Sequence, residues 1–440
     1  LTILKPGKQK ADGTFEKEYI PSQKPTVDMA KRIEENLPET MEITGDKGIT
    51  LQDVKDGKNS LEEFVAQLSV EELAQIVRGE GMSNPRVTQG TASAFGGISD
   101  ALFNYGIPAA CCADGPSGVR YEGKATQLPI GTALAASWNA PLVRELYTME
   151  GEELRANQVD TLLGPGVNIH RHPLNGRNFE YYSEDPYLSG TMSVASTGGI
   201  KDGGAWGTIK HFALNGQESH RFKIDAVCSE RAIREIYLKS FEMAVKEKTV
   251  MTLMTSYNPI NGHWAASNYD LCTTVLRGEW GYTGLVMTDW WAKMNDVVEG
   301  GEESNQDTRD MVRSQNDVYM VVNNNGAEVN SNNDNTEKSV EEGTLTVGEL
   351  QRAAINICNV ILHSQVIERE LVSEDNKVMF DSGKVATMIV EEDAEYTIIV
   401  NIAFDKSNLA QSTVNVNANG ENVVVIQTNG TDGNWITQKL

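Results

Sequence analysis

From Ser60 onward the chain repeats one rhythm: a short apolar run ends abruptly in polar or charged residues, and an amphipathic stretch follows. The runs are Pro108–Asp114 (PAACCAD), Thr132–Trp138 (TALAASW), Thr161–Asn168 (TLLGPGVN), Gly207–Phe212 (GTIKHF), Thr252–Asn258 (TLMTSYN), Leu285–Trp291 (LVMTDWW) and Asp317–Val322 (DVYMVV). Their length suits buried strands. Pro141–Asn157 and Glu230–Lys248 instead place apolar residues near every third or fourth position, the helical period. Strands alternating with helices predict a parallel sheet covered on both faces. About seven or eight such units over roughly 250 residues fit an α/β fold of the (β/α)8 TIM-type barrel class better than an open sheet. The pattern alone leaves a doubly wound sheet open, although no GxGxxG follows a strand, which lowers a dinucleotide reading.

The flanks differ from this core. Residues 1–59 are polar and punctuated by Pro and Gly, and read as an N-terminal linker or interdomain segment with one helix near Asp28–Asn36. Ser60 with Glu63 and Ser69 with Glu72 have capping-box spacing, in which hydroxyl and carboxylate each satisfy a backbone donor of the first helical turn. Two helices are expected to start there, opening a barrel domain over 60–370. The Asn-rich stretch Asn323–Asn335 reads as a loop, and a third box, Thr346 with Glu349, starts a last helix. Residues 376–440 are rich in Val, Ile, Thr and Asn, with alternation in TIIVNIAF and STVNVNANG and a turn-forming Asn419-Gly420 pair. They predict a small C-terminal all-β, sandwich-like module, short for a complete sandwich.

Composition narrows the partners. The net charge of −24 over 440 residues argues against nucleic acid or an anionic membrane surface. The five cysteines are odd in number, lack CxxC spacing and mostly sit in apolar runs, as expected of reduced, buried thiols. No apolar stretch is long enough to span a bilayer, and the start, LTILKPGKQK, has no signal-peptide pattern, so a cytoplasmic setting is expected. The absence of an initial Met suggests the interior of a longer chain or a processed product.

In such a barrel the C-terminal strand ends build the site. Here they carry Asp114, Arg120, Asn168, Lys210, His211, Tyr257, Asp289 and Trp290. Carboxylates, cations and aromatic rings at one mouth suit a neutral, hydroxyl-rich ligand. The motifs around them are Asp114–Arg120 (DGPSGVR), Gly164–His170 (GPGVNIH), Arg177–Pro186 (RNFEYYSEDP), Lys210–Arg221 (KHFALNGQESHR), Met254–Tyr257 (MTSY) and Glu279–Trp290 (EWGYTGLVMTDW). In this order they resemble glycoside hydrolase family 3 of the β-glucosidase type, over about residues 60 to 365. The resemblance implies a retaining mechanism on terminal non-reducing β-D-glucosyl residues, with Asp289 as nucleophile and no cofactor. It places Asp114, Arg177, Lys210 and His211 around the hydroxyls of the terminal sugar. Arg120, Met254 and Tyr257 would line the same subsite, and Trp290 would flank the pocket where the leaving group stacks. Xylose and galactose specificities stay open, as does the oligomeric state.

Each residue has a plainer reading. Asp289 could cap a helix, and Lys210 with His211 could form a surface ion pair. Glu180, Glu184 and Asp185 read as carboxylates behind the site or on the surface. His170 and His172 lack a third ligand for a metal site. Tyr181-Tyr182 reads as core and rim, and Trp290-Trp291 as one ring at the pocket and one in packing. The second carboxyl of a retaining pair, about 5–5.5 Å from the first, is not evident. In the β-glucosidase branch the acid/base is a Glu on an α/β sandwich domain that usually follows the barrel, and here a β-module follows. The stretch after Lys210-His211 does not match the His–Asp loop of the β-N-acetylhexosaminidase branch, and Glu218 and His220 are weak substitutes. The chain therefore resembles the barrel-bearing half of a circularly permuted member. The expected partners are a β-glucoside or oligosaccharide and the missing sandwich half, on the same precursor or a separate chain. The competing readings are a non-catalytic sugar-binding fragment, a Schiff-base aldolase using Lys210, and a purely structural role. The C-terminal module resembles the opening strands of a carbohydrate-binding domain, and an interface or spacer role is equally open.

Overall fold

The computed structural model describes residues 2–21, 27–369, 399–402, 411–418, 421–429 and 436–439. The chain divides into two compact units, Leu1–Pro38 and Glu39–Leu440. In the first, Thr2–Gln9 pairs antiparallel with Phe15–Pro21, and the turn between them is fixed by Gly13 at φ +83 and by Asp12, whose side chain accepts from the Thr14 amide at 2.9 Å. A helix follows at Met29–Glu35, capped by Asp28. The helix agrees with the one expected near Asp28–Asn36, whereas the hairpin stands where a linker is expected. Pro6, Pro21 and the lysines that interrupt these strands mask the alternation, because such residues mark exposed edge strands.

The second unit is built around an eight-stranded sheet. In chain order its strands are β1 (Arg78–Glu80), β2 (Ser93–Gly96), β3 (Ala109–Asp114), β4 (Thr161–Leu163), β5 (Trp206–Phe212), β6 (Thr252–Thr255), β7 (Leu285–Met287) and β8 (Tyr319–Val322). Spatial order follows chain order from β1 to β7, and β8 pairs with β1. The ring comes close to closing between β7 and β8, where Met287 bridges Val318 and the Asp317 amide donates to the Val286 carbonyl at 2.8 Å. All pairs are parallel except those of β2, which runs antiparallel to both neighbours. The reversal follows from the connection: no crossover helix separates Glu80 from Ser93, so the chain can only return alongside β1 in the opposite direction.

The expected barrel is thus present as a nearly closed ring, with one strand reversed and two strands not foreseen. Thr132–Trp138, read as a strand, is the helix Gly131–Ala136. Its Ala-rich run favours helix as strongly as burial. All three expected capping boxes form, at Ser60, Ser69 and Thr346, and a fourth forms at Thr50 with Asp53. Residues 323–335 hold no helix or strand, as expected. The helices Ala140–Ala156 and Pro186–Asp202 lie close enough that glycine is required at their crossing: a Cβ on Gly199 would sit 2.3 Å from the Arg144 carbonyl oxygen. The cysteines are all unpaired, four of them buried and Cys228 partly so. Among the described residues no helix is long and apolar enough to cross a membrane.

Toward the C-terminus the described strands form two antiparallel pairs, Ile399–Ile402 with Ile436–Lys439 and Gln411–Ala418 with Glu421–Asn429. The Asn419-Gly420 turn and residues 376–398 lie outside the described residues.

Candidate functional site

The register of the parallel strands decides which side chains meet. Asp114 pairs with Leu163, Phe212 with Thr255, and Met287 with Met254. The C-terminal ends of β3 to β7 therefore share one rim, and Asp114, Lys210, His211, Met254, Tyr257 and Asp289 sit on it.

Asp289 follows the end of β7 and is buried. Its Oδ1 accepts from the Trp290 amide at 2.8 Å, while its Oδ2 makes no hydrogen bond of good geometry, and the Tyr257 hydroxyl reaches the carboxylate only loosely. Burial raises the Asp289 carboxyl above its usual range, and the charges of Arg177 and Lys210, the Trp290 amide and the Tyr257 phenol oppose the rise. A buried carboxylate oxygen without a well-formed hydrogen bond is costly, and such atoms concentrate where a ligand supplies the missing contact.

Opposite it, Lys210 donates from Nζ to Asp114 Oδ1 at 3.0 Å, and Arg120 donates to Oδ2 at 3.0 Å. Burial pushes the Asp114 carboxyl up, but Lys210 and Arg120 outweigh it and the net shift is downward. Arg177 donates from Nε to Glu180. Burial opposes its cation, yet Tyr181 and the Glu180 and Asp289 carboxylates hold its pKa above the ordinary value. His211 is different. Burial first, then the positive charges of Arg177, Lys210 and Arg221, push its pKa well below the usual value. It is therefore a neutral imidazole and does not favour an ionised Asp289 by charge. Its Nε2 lies 3.7 Å from Asp289 Oδ2, and Asn168 clamps its backbone on both sides, accepting from its amide at 2.7 Å and donating to its carbonyl at 2.9 Å.

Met254 is buried at the end of β6. Tyr257 stacks edge-on against Phe222 with ring centroids 4.4 Å apart, and the Arg221 guanidinium lies 4.7 Å from the Tyr257 ring. Trp290 is half-buried against the barrel core, whereas Trp291 is exposed with a left-handed backbone at φ +56.

Several of the plainer readings find a definite place. Asp185 caps the helix Pro186–Asp202. His170 contacts the Tyr181 carbonyl through Nε2 at 3.0 Å, and His172 accepts from the Leu174 amide. Glu180 is buried behind Arg177 and not on the surface. The sequence reading gave no role to Asn215, Arg221 and Phe222. Asn215 and Arg221 lie inside the motif Lys210–Arg221 and Phe222 directly follows it, but the motif alone assigns them no contact.

A ring of strands with a buried carboxylate, cations and aromatic side chains at its C-terminal mouth has the site placement of a TIM-type barrel. The profile of the glycosyl hydrolase family 3 N-terminal domain matches residues 43–360, and the chain belongs to that family. A β-glucosidase from Ruminococcus albus is 52% identical over 354 residues, which is 80% of this chain and 37% of that protein. The structure of a β-glucosidase from Paenibacillus barengoltzii superposes with a TM-score of 0.82 at 56% identity, covering 100% of this chain and 50% of that one. β-Glucosidase 3B from Thermotoga neapolitana, solved with α-D-glucose, superposes with a TM-score of 0.62 at 35% identity over 70% of this chain and 43% of that one. The chain thus spans between about a third and a half of the length of these relatives.

Proposed function

We propose that this chain carries the sugar-binding and nucleophile-bearing part of a retaining β-glucosidase. The observation that supports this most is the buried Asp289, with one carboxylate oxygen that makes no well-formed hydrogen bond, beside Arg177, Lys210, His211 and Tyr257. In this reading Lys210, Asp114, Arg120, Arg177 and His211 bind the hydroxyls of a terminal glucosyl unit, and Met254 and Tyr257 line the same subsite. Trp290 flanks the leaving-group side. The Asp289 carboxylate attacks the anomeric carbon as the bond from that carbon to the aglycone oxygen breaks, and a general acid protonates the departing oxygen. Water, deprotonated by the same group, then releases the sugar and restores the carboxylate. We assign the acid/base to a part of the protein outside residues 43–360, consistent with relatives about twice as long. The glucose complex of the Thermotoga enzyme supports glucose as the sugar.

The test is the intact mass of the chain after incubation with 2,4-dinitrophenyl 2-deoxy-2-fluoro-β-D-glucoside, whose leaving group needs no proton. A gain of one fluoroglucosyl unit, absent in Asp289→Asn, is expected. Binding of the glucoside without a mass gain would instead identify a non-catalytic sugar-binding chain. The corresponding xyloside and galactoside, run in parallel, decide the sugar.

A further inference from the structure

A line of polar side chains runs from the outer edge of the site to Asp289. Arg221 donates to Glu218 Oε2 at 2.7 Å, and Asn215 donates from Nδ2 to Glu218 Oε1 at 3.0 Å. The same Asn215 nitrogen lies 3.0 Å from the Tyr181 hydroxyl, which lies 3.1 Å from His211 Nδ1. Directionality follows from what each group can do. An ionised carboxylate only accepts, so Asn215 must turn its NH2 toward Glu218, and that nitrogen then donates its second hydrogen to Tyr181. The Tyr181 hydroxyl, already accepting, has one proton to place, and among the described residues its other partner is His211 Nδ1.

We infer that Tyr181 is a positioning residue that locks His211 in the Nε2–H tautomer, directing the one imidazole proton toward the Asp289 side of the site. The reverse tautomer would leave the Tyr181 proton without an acceptor in a fully buried position. It would also set the Nε2 lone pair against a carboxylate oxygen 3.7 Å away. Burial supports both ends of the relay, since it keeps the Tyr181 phenol protonated and His211 neutral. The gap of 3.7 Å is too long for a hydrogen bond, so the Nε2–H is left for an oxygen of the ligand. For that consequence the inference rests on the proposed sugar site; the tautomer itself does not depend on it.

The experiment uses the full chain labelled with 15N-histidine and two-bond 15N–1H correlation spectra, with His211 assigned by its loss in His211→Gln. The wild type is expected to show a protonated Nε2 and a bare Nδ1; a protonated Nδ1 would overturn the inference without any variant of Tyr181. In Tyr181→Phe the lock is gone, and a mixture of tautomers is expected, with D-glucose binding and Asp289 labelling by the fluoroglucoside each weakened about tenfold. Asn215→Asp supplies a stronger acceptor for the Tyr181 proton. It is expected to invert the relay and place the imidazole proton on Nδ1, an outcome that a merely structural role would not produce. A folded Tyr181→Phe or Asn215→Asp that keeps the wild-type tautomer refutes the lock. If the tautomers move as expected while neither glucose nor the fluoroglucoside engages the wild type, the lock stands and the sugar-site reading falls.

Discussion

The nucleophile candidate illustrates how much one residue depends on its neighbours' charges. Burial pushes the Asp289 carboxyl upward, toward the protonated form that cannot attack an anomeric carbon. Arg177 is the largest opposing influence and Lys210 a further one. Removing a positive charge raises the pKa of a nearby carboxyl, so Arg177→Gln is expected to shift the acid limb of the Asp289 labelling profile upward by about one pH unit. Lys210→Gln should shift it less, because Lys210 also spends its charge on Asp114. The rate of fluoroglucosyl mass gain, measured from pH 4 to 9, reads both shifts, and an unmoved limb in Arg177→Gln would remove Asp289 as the titrating group. His211, being neutral, should contribute nothing to this limb. Asp114, Lys210, His211, Tyr257 and Asp289 were legible in the sequence because each lies at or just after the end of an apolar run, whereas Arg177 was marked only by the motif Arg177–Pro186. His211's neutrality was not legible, since it depends on how deeply the imidazole is buried among three cations.

At the scale of elements, the helix Ala140–Ala156 turns Val143, Tyr147, Glu150, Gly151 and Leu154 inward. This is the usual apolar stripe with a carboxyl set into it. The Tyr147 hydroxyl donates to the Pro116 carbonyl at 3.2 Å, so this face supports the loop that carries Arg120. Neither oxygen of Glu150 makes a hydrogen bond of good geometry, and burial, reinforced by Glu153 and opposed by the Gly118 backbone, pushes its carboxyl up to about 8. The folded state therefore holds a proton that the unfolded chain releases near pH 4.5. Its contribution to stability is complete below that value and is lost as the pH rises through about 8. Glu150→Gln keeps the shape without the ionisation. It should flatten the fall in Tm between pH 5 and 9, and a parallel fall in both proteins would show that Glu150 does not titrate there. Elements were legible where length and period agreed, as in this helix and in β3 to β8. β1 and β2 escaped notice because Arg-Gly-Glu and Ser-Ala-Phe-Gly are too short and too polar or small to register as apolar runs. Thr132–Trp138 misled for the opposite reason, since an apolar run of small residues suits a helix equally well.

At the scale of the whole molecule, a barrel must join its first strand to its last, and here the junction holds a buried charge. Arg78 on β1 is fully buried. It donates from Nε and an η nitrogen to Asp334 at 2.7 and 3.1 Å, to the Ala327 carbonyl at 2.8 Å and to Glu337 at 3.0 Å. All three partners follow β8, so the guanidinium fastens the start of the ring to the segment that leaves its end. Burial works against both ions, yet Arg78 is shifted up and Asp334 down, which shows that each stabilises the other's charged form. Such a pair adds little over a packed apolar substitute, but breaking it strands a cation in the interior. Asp334→Ala is therefore expected to cost about 3–5 kcal/mol in urea unfolding, whereas Glu337→Gln, at the half-exposed partner, should cost under about 1 kcal/mol. Because the Asp334 carboxyl is held below its ordinary value, the difference between wild type and Asp334→Ala should shrink as the pH falls through the acid range and the carboxylate takes up its proton. If the two variants lose equal stability, the ring is held by its strand hydrogen bonds alone and the Arg78 junction is incidental. If only Asp334→Ala loses it, the mouth that carries Asp289 depends on a charge pair far from it in sequence, which the hydrophobic pattern of the chain could not reveal.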